Sequence, residues 1–313
     1  MSSNFIICIK AVIPMFLMLA LGYGGRLMKL TVDSLSAKMN SLCFKMLFPF
    51  LMFHNIYASR IDEVLSLRLI VFAVAAVMAV YGAATLFTLR IEKSARSRGA
   101  MIQAIYRSNF VIMGLPVATN IYGHGNVGVT AVLVAIIVPL FNVLAVVTLE
   151  IYRSSKVRPG KILLNIAKNP LIGGAFLGIA FSILGIRLPG IIESTVSDIS
   201  ACATPVALMI LGSSFKFSGA AKVRRNLTIA GAAKLIAVPG LVLPAAALMG
   251  FRDIAFVSLV GIFAAPCAIS SFTMAQEMDS DYELAGASVV FTTAFSCVTM
   301  FLWLYLFKSL GVF

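Results

Sequence analysis

Two apolar stretches carry the residues best suited to chemistry. In YRSNFVIMGLPVATNIYG, residues 106–123, Asn109, Gly114, Pro116, Thr119 and Asn120 interrupt an otherwise hydrophobic run. In VGIFAAPCAISSFTMAQ, residues 260–276, Pro266 is followed by Cys267, Ser270 and Ser271. Proline removes a backbone donor and clashes with the preceding turn, so each stretch is expected to break near its proline. Backbone groups freed inside a bilayer must be met by protein, water or ligand. A second half-helix beginning at each break would aim its positive end inward. Two such ends suit an anion without a full neutralising charge. Asn109 could add an amide donor and acceptor, and Ser270 or Ser271 a hydroxyl.

Three cations, Lys45, Arg107 and Lys234, lie within or beside apolar stretches and are candidates for electrostatic contact with the substrate. Snorkelling to headgroups is the competing explanation for them. No carboxylate is centred in an apolar stretch, which leaves an embedded proton relay unsupported. His54 and His124 are too isolated for a metal pair, and the five cysteines show neither a disulfide framework nor a zinc pattern. No Ser/His/Asp or Cys/His arrangement supports an enzyme. No metal or cofactor is expected.

The elements that must hold these residues follow from composition. Of 313 residues, 60% are hydrophobic and 12% charged, with a mean hydropathy of +1.01, against about 25% charged in soluble domains. This excludes a sizeable soluble domain. It predicts an all-α polytopic membrane protein with ten spans near 4–23, 39–57, 68–89, 100–121, 128–150, 169–186, 195–214, 227–249, 254–275 and 283–307. The net charge of +13 would suggest nucleic acid in a soluble protein. Here the basic residues fall between spans, 16 in odd-numbered links against five on the other side. The asymmetry predicts both termini outside the cytoplasm and the lipid bilayer, not nucleic acid, as the partner.

The longest polar link divides the chain into 1–151, a basic cytoplasmic link at 152–168, and 169–313. Five spans on each side would make any duplication an inverted one. Pro49 with Pro205, and Pro116 with Pro266, occupy corresponding places. Exposed small-residue helix faces would permit a homodimer.

With these residues in view, the chain resembles bacterial members of the auxin efflux carrier, or PIN-like, membrane transport family, within the wider bile acid, arsenite and riboflavin transporter grouping. The resemblance rests on RSNFVIMGLPVATNIYG at 107–123, KNPLIGGAFLG at 168–178, TPVALMILGSSF at 204–215 and PCAISSFTMAQEMDSDYELAGASVV at 266–290. It implies ten helices in two inverted five-helix repeats, with helices 4 and 9 broken and crossed. It also implies an elevator-like exchange between inward and outward openings. Together with the charge asymmetry, the expected location is the inner membrane with both termini periplasmic. The crossover would fall on Pro116 and Pro266, beside Asn109, around a small organic anion such as malonate or malate. The plant-type asparagine beside Pro266 is missing and the long plant loop is absent, which disfavours auxin. A sodium/proton exchanger, or a non-transporting membrane protein, is the alternative. Coupling to sodium or to a proton is left open.

Overall fold

The computed structural model describes residues 2–58, 66–122, 128–153 and 159–313. His124 and the Lys156–Arg158 part of the basic link therefore lie outside the described residues. The described chain is helical throughout: α1 (Ser2–Leu27), α2 (Asp33–Leu42), α3 (Phe48–Tyr57), α4 (Leu67–Ile91), α5 (Ala95–Tyr106), α6 (Phe110–Tyr122), α7 (Gly128–Arg153) and α8 (Pro159–Ala167). Then follow α9 (Pro170–Ile183), α10 (Gly190–Ser214), α11 (Phe217–Lys222), α12 (Arg224–Ala232), α13 (Val238–Leu248), α14 (Asp253–Phe263), α15 (Ser270–Glu277) and α16 (Tyr282–Ser309). One turn of π-helix, Cys43–Leu47, joins α2 to α3, and another, Ala233–Ala237, joins α12 to α13.

The expectation of ten spans is corrected. Among the described residues five helical stretches are long and apolar enough to cross a bilayer: Leu67–Ile91, Gly128–Arg153, Gly190–Ser214, Arg224–Leu248 and Tyr282–Ser309. Val12–Leu27, Pro170–Ile183 and Asp253–Phe263 are apolar but shorter. The physical reason is that hydropathy counts residues whether or not the helix is continuous. The block at 100–121 divides into α5 and α6, and that at 254–275 into α14 and α15. The block at 169–186 yields the 14 residues of α9, about 21 Å of helix against a hydrocarbon core of roughly 30 Å. Two inverted five-helix repeats do not emerge from this set of spans, and that part of the expected architecture falls with the count of ten.

Packing depends on small residues where backbones approach. A Cβ on Gly22 would lie 2.0 Å from the Met209 carbonyl oxygen, and one on Gly212 would lie 2.1 Å from that of Leu19. These glycines therefore allow α1 and α10 to touch along their backbones, as closely packed membrane helices do. The central core is formed by α5, α6, α7, α14 and α15. All of α5 from Gly99 to Tyr106 and all of α14 from Phe256 to Phe263 are buried.

Candidate functional site

Helix α5 ends at Tyr106 because Arg107 turns to extended backbone, φ −83° and ψ 133°. Ser108 and Asn109 follow, residue types that compete with helical hydrogen bonding and favour caps. The Asn109 carbonyl then accepts from Met113 N–H at 3.2 Å, the first bond of the new helix α6. The second interruption occupies 264–269, around Pro266, before α15 starts at Ser270. The two meet directly: Asn109 N–H donates to the Pro266 carbonyl at 2.8 Å.

The first interruption is not where proline predicted it. Gly114 and Pro116 both lie inside continuous α6, and Pro116 is exposed. Gly114 instead serves contact. A Cβ on Gly261 would come within 2.6 Å of Gly114 Cα, so α6 and α14 cross backbone to backbone at this pair. Thr119 hydrogen-bonds the Leu115 carbonyl at 2.8 Å and Asn120 is exposed. Pro116, Thr119 and Asn120 thus stand apart from the junction of the two breaks.

A cavity of about 90 Å³ opens at that junction. Its wall includes Arg107, Ser108 and Asn109, the first turn of α6, and Ala268, Ile269 and Ser270 where α15 begins. Asn55, Asn142 and Thr204 complete the polar lining. The positive ends of α6 and α15 are thus both at the cavity.

Arg107 is 2% exposed and lines this space. Its Nη1 donates to Gln103 Oε1 at 3.0 Å, to Met274 Sδ at 3.0 Å and, at 3.5 Å, to Ser271 Oγ. Its Nη2 donates to Ser270 Oγ at 2.7 Å and to Asn142 Oδ1. Every one of these partners is neutral, and no carboxylate pairs with Arg107 among the described residues. A buried ion usually needs a partner of opposite charge. Asn109, 8% exposed, also leaves its side-chain Nδ2 buried without an acceptor among the described residues. An unmet donor and an uncompensated guanidinium together favour a negatively charged, acceptor-rich ligand.

Lys234, in the second π-turn, is fully buried and lies behind this wall. Its Nζ donates to Ser108 Oγ, which donates to the Ile262 carbonyl. Cys267 is buried too, its N–H bound to Thr292 Oγ1 at 3.0 Å, and Ser271 Oγ stands 3.6 Å from its sulfur. Lys45 is elsewhere: its side chain is 60% exposed and pairs with Glu277 at 2.8 Å. Of the sequence candidates, the structure therefore brings Asn109, Arg107 and Ser270 onto the cavity wall. Pro266, Ser271 and Lys234 support it from behind, while Lys45 sits apart.

Gln103, Ser108 and Asn142 escaped the sequence reading. Gln103 stands four residues before Arg107 and so shares its helix face, a spacing that could have revealed it. Asn142 is a single amide in the long apolar α7, with no neighbour to mark it.

A family model described as membrane transport protein matches residues 7–304. The chain belongs to this membrane transport protein family. It is 28% identical over 160 residues to a proposed malonate transporter of Rhizobium meliloti, a match covering 50% of each chain. It is 23% identical over 305 residues to an uncharacterized transporter of Methanocaldococcus jannaschii, covering 93% of this chain and 96% of the relative. The chain thus spans about half the length of the first relative and nearly all of the second. Family membership and the apolar helices together make this a multi-pass member of a membrane transport protein family.

Proposed function

We propose that the protein carries small organic anions, mono- or dicarboxylates of the malonate or malate kind, across the membrane. The single observation behind this reading is Arg107: a buried guanidinium on a cavity wall with only neutral partners. A carboxylate is the planar acceptor that such a fork binds best. The positive ends of α6 and α15 and the unmet Asn109 amide act in the same sense. The similarity to a proposed malonate transporter favours a short dicarboxylate. A cavity of this size has room for a small anion or a few waters.

The motion proposed is alternating access by an elevator-like shift, in which the crossed α6 and α14 travel with the site. Their backbone contact at Gly114 and Gly261 suits a unit that moves as one body. The basic-residue asymmetry supports periplasmic termini. A sodium/proton exchanger would be served by an ionisable carboxylate in the wall, and among the described residues the cavity lining contains none.

Purified protein in liposomes, assayed for counterflow of labelled malonate, malate, pyruvate and indole acetate, tests the proposal. At least one small carboxylate should exchange, and Arg107→Gln should weaken its binding about a hundredfold. A cation exchange current with no anion movement would overturn the assignment. Unaltered anion affinity in a folded Arg107→Gln variant would remove Arg107 from it.

A further inference from the structure

Helix α16 is flanked by apolar furrows well away from the crossing. One, of about 640 Å³, runs between α11, α12 and α16, and another, of about 430 Å³, between α1, α10 and α16. Phe217, Phe291 and Phe295 border both. Any furrow facing a bilayer will meet acyl chains; this one also has a charged end. Arg224, which opens α12, borders the larger furrow and is exposed. Neither Arg224 nor Lys222 forms an ion pair among the described residues.

Dimensions fit one lipid tail. From Arg224 to Ile236, which borders the same furrow, the helix advances about 18 Å, slightly more than the roughly 15 Å depth of one leaflet's hydrocarbon. The floor is recessed at Gly231, where an added Cβ would meet nothing within 4 Å. We propose that this furrow binds one anionic phospholipid, its acyl chain lying along α12 and its phosphate on Arg224 with Lys222 as a second cation. Unpaired cations at the headgroup end select for negative charge, while the apolar wall selects for a chain and not for free phosphate.

The test uses the purified full-length protein in detergent micelles doped with equal phosphatidylglycerol and phosphatidylcholine of identical acyl chains. Retained lipid is counted by native mass spectrometry. One phosphatidylglycerol per chain should be held about fivefold in preference to phosphatidylcholine. Arg224→Gln should reduce that preference, and adding Lys222→Gln should bring the two lipids level. Gly231→Leu, which fills open space, should reduce retention of both with an unchanged unfolding temperature. Equal retention of the two lipids by the unaltered protein would overturn the proposal, as would a preference that Arg224→Gln leaves undiminished. Undiminished retention in Gly231→Leu would place the lipid outside the furrow.

Discussion

The two interruptions meet at one hydrogen bond, yet they are built from different materials. At 264–269 the chain uses a proline among small residues, Ala264, Ala265 and Ala268, and it presents backbone: the Pro266 carbonyl accepts from across the crossing. At 107–109 there is neither proline nor glycine. The helix stops at an arginine that turns extended, followed by Ser108 and Asn109, and this segment presents side chains. One break shapes the crossing and the other supplies its charge and its donors. Meanwhile Pro116 stays helical, because seven residues after the break it falls inside a helix that has already restarted. A proline therefore identifies a break only when the surrounding packing uses it.

The largest test of this contrast targets the contact that holds the two segments together. Gly261→Val places branched carbon where Gly114 Cα lies 2.6 Å from the first added atom, and α14 cannot yield without moving α6. Thermal unfolding in detergent should show a loss of about 3 kcal/mol; an unshifted transition would mean that the helices do not touch here.

Asn109→Ala addresses the break that presents side chains. The variant removes a buried amide whose Nδ2 lacks a partner, so folding should hardly suffer. Anion binding, measured by calorimetry, should weaken about tenfold. Stability falling while binding persists would reverse the role assigned to Asn109.

Pro116→Ala separates the idle proline from the working one. It restores a helical donor and relieves a ring clash, and should raise stability by about 1 kcal/mol with binding unaltered. A loss of anion affinity would return Pro116 to the site.

The smallest effect lies on the surface, away from both breaks. Asp33 accepts from Lys216 Nζ at 2.8 Å, and that bond, with Arg26 nearby, holds the carboxyl below the usual range. A depressed carboxylate pKa adds stability at neutral pH, and that stability is lost as pH falls through the lowered value. Because the side chain is 64% exposed, the contribution should stay below about 1 kcal/mol. Unfolding temperatures of the protein and of Asp33→Asn should differ slightly at pH 7 and converge as the pH is lowered below the ordinary aspartate range. A gap of constant size across that range would remove the ion pair as its cause.

Much of the candidate site's lining was legible because its chemistry is out of place in its surroundings. Arg107, Asn109 and Ser270 stand out in apolar stretches, and each reaches the cavity. Gly114, Pro116, Thr119 and Asn120 carried the same signal but face elsewhere, since composition fixes neither helical phase nor the point where a helix restarts. Lys45 and Lys234 read alike in sequence. One lies in an exposed ion pair and the other is fully buried, a difference set by tertiary packing alone. The fold was legible as apolar helices but not as spans, because continuity depends on capping and backbone geometry, as at Arg107, which hydropathy does not record.

The meeting of Gly114 and Gly261 also limits how the crossing can be made to flex. With two main chains in contact and the Phe110 ring wedged beside them, little room is left for a relative slide, so force applied to one rod passes to the other. Under the proposed elevator-like shift, spin labels placed at the far ends of α6 and α14 should keep a fixed separation throughout turnover, while their distances to α1 change.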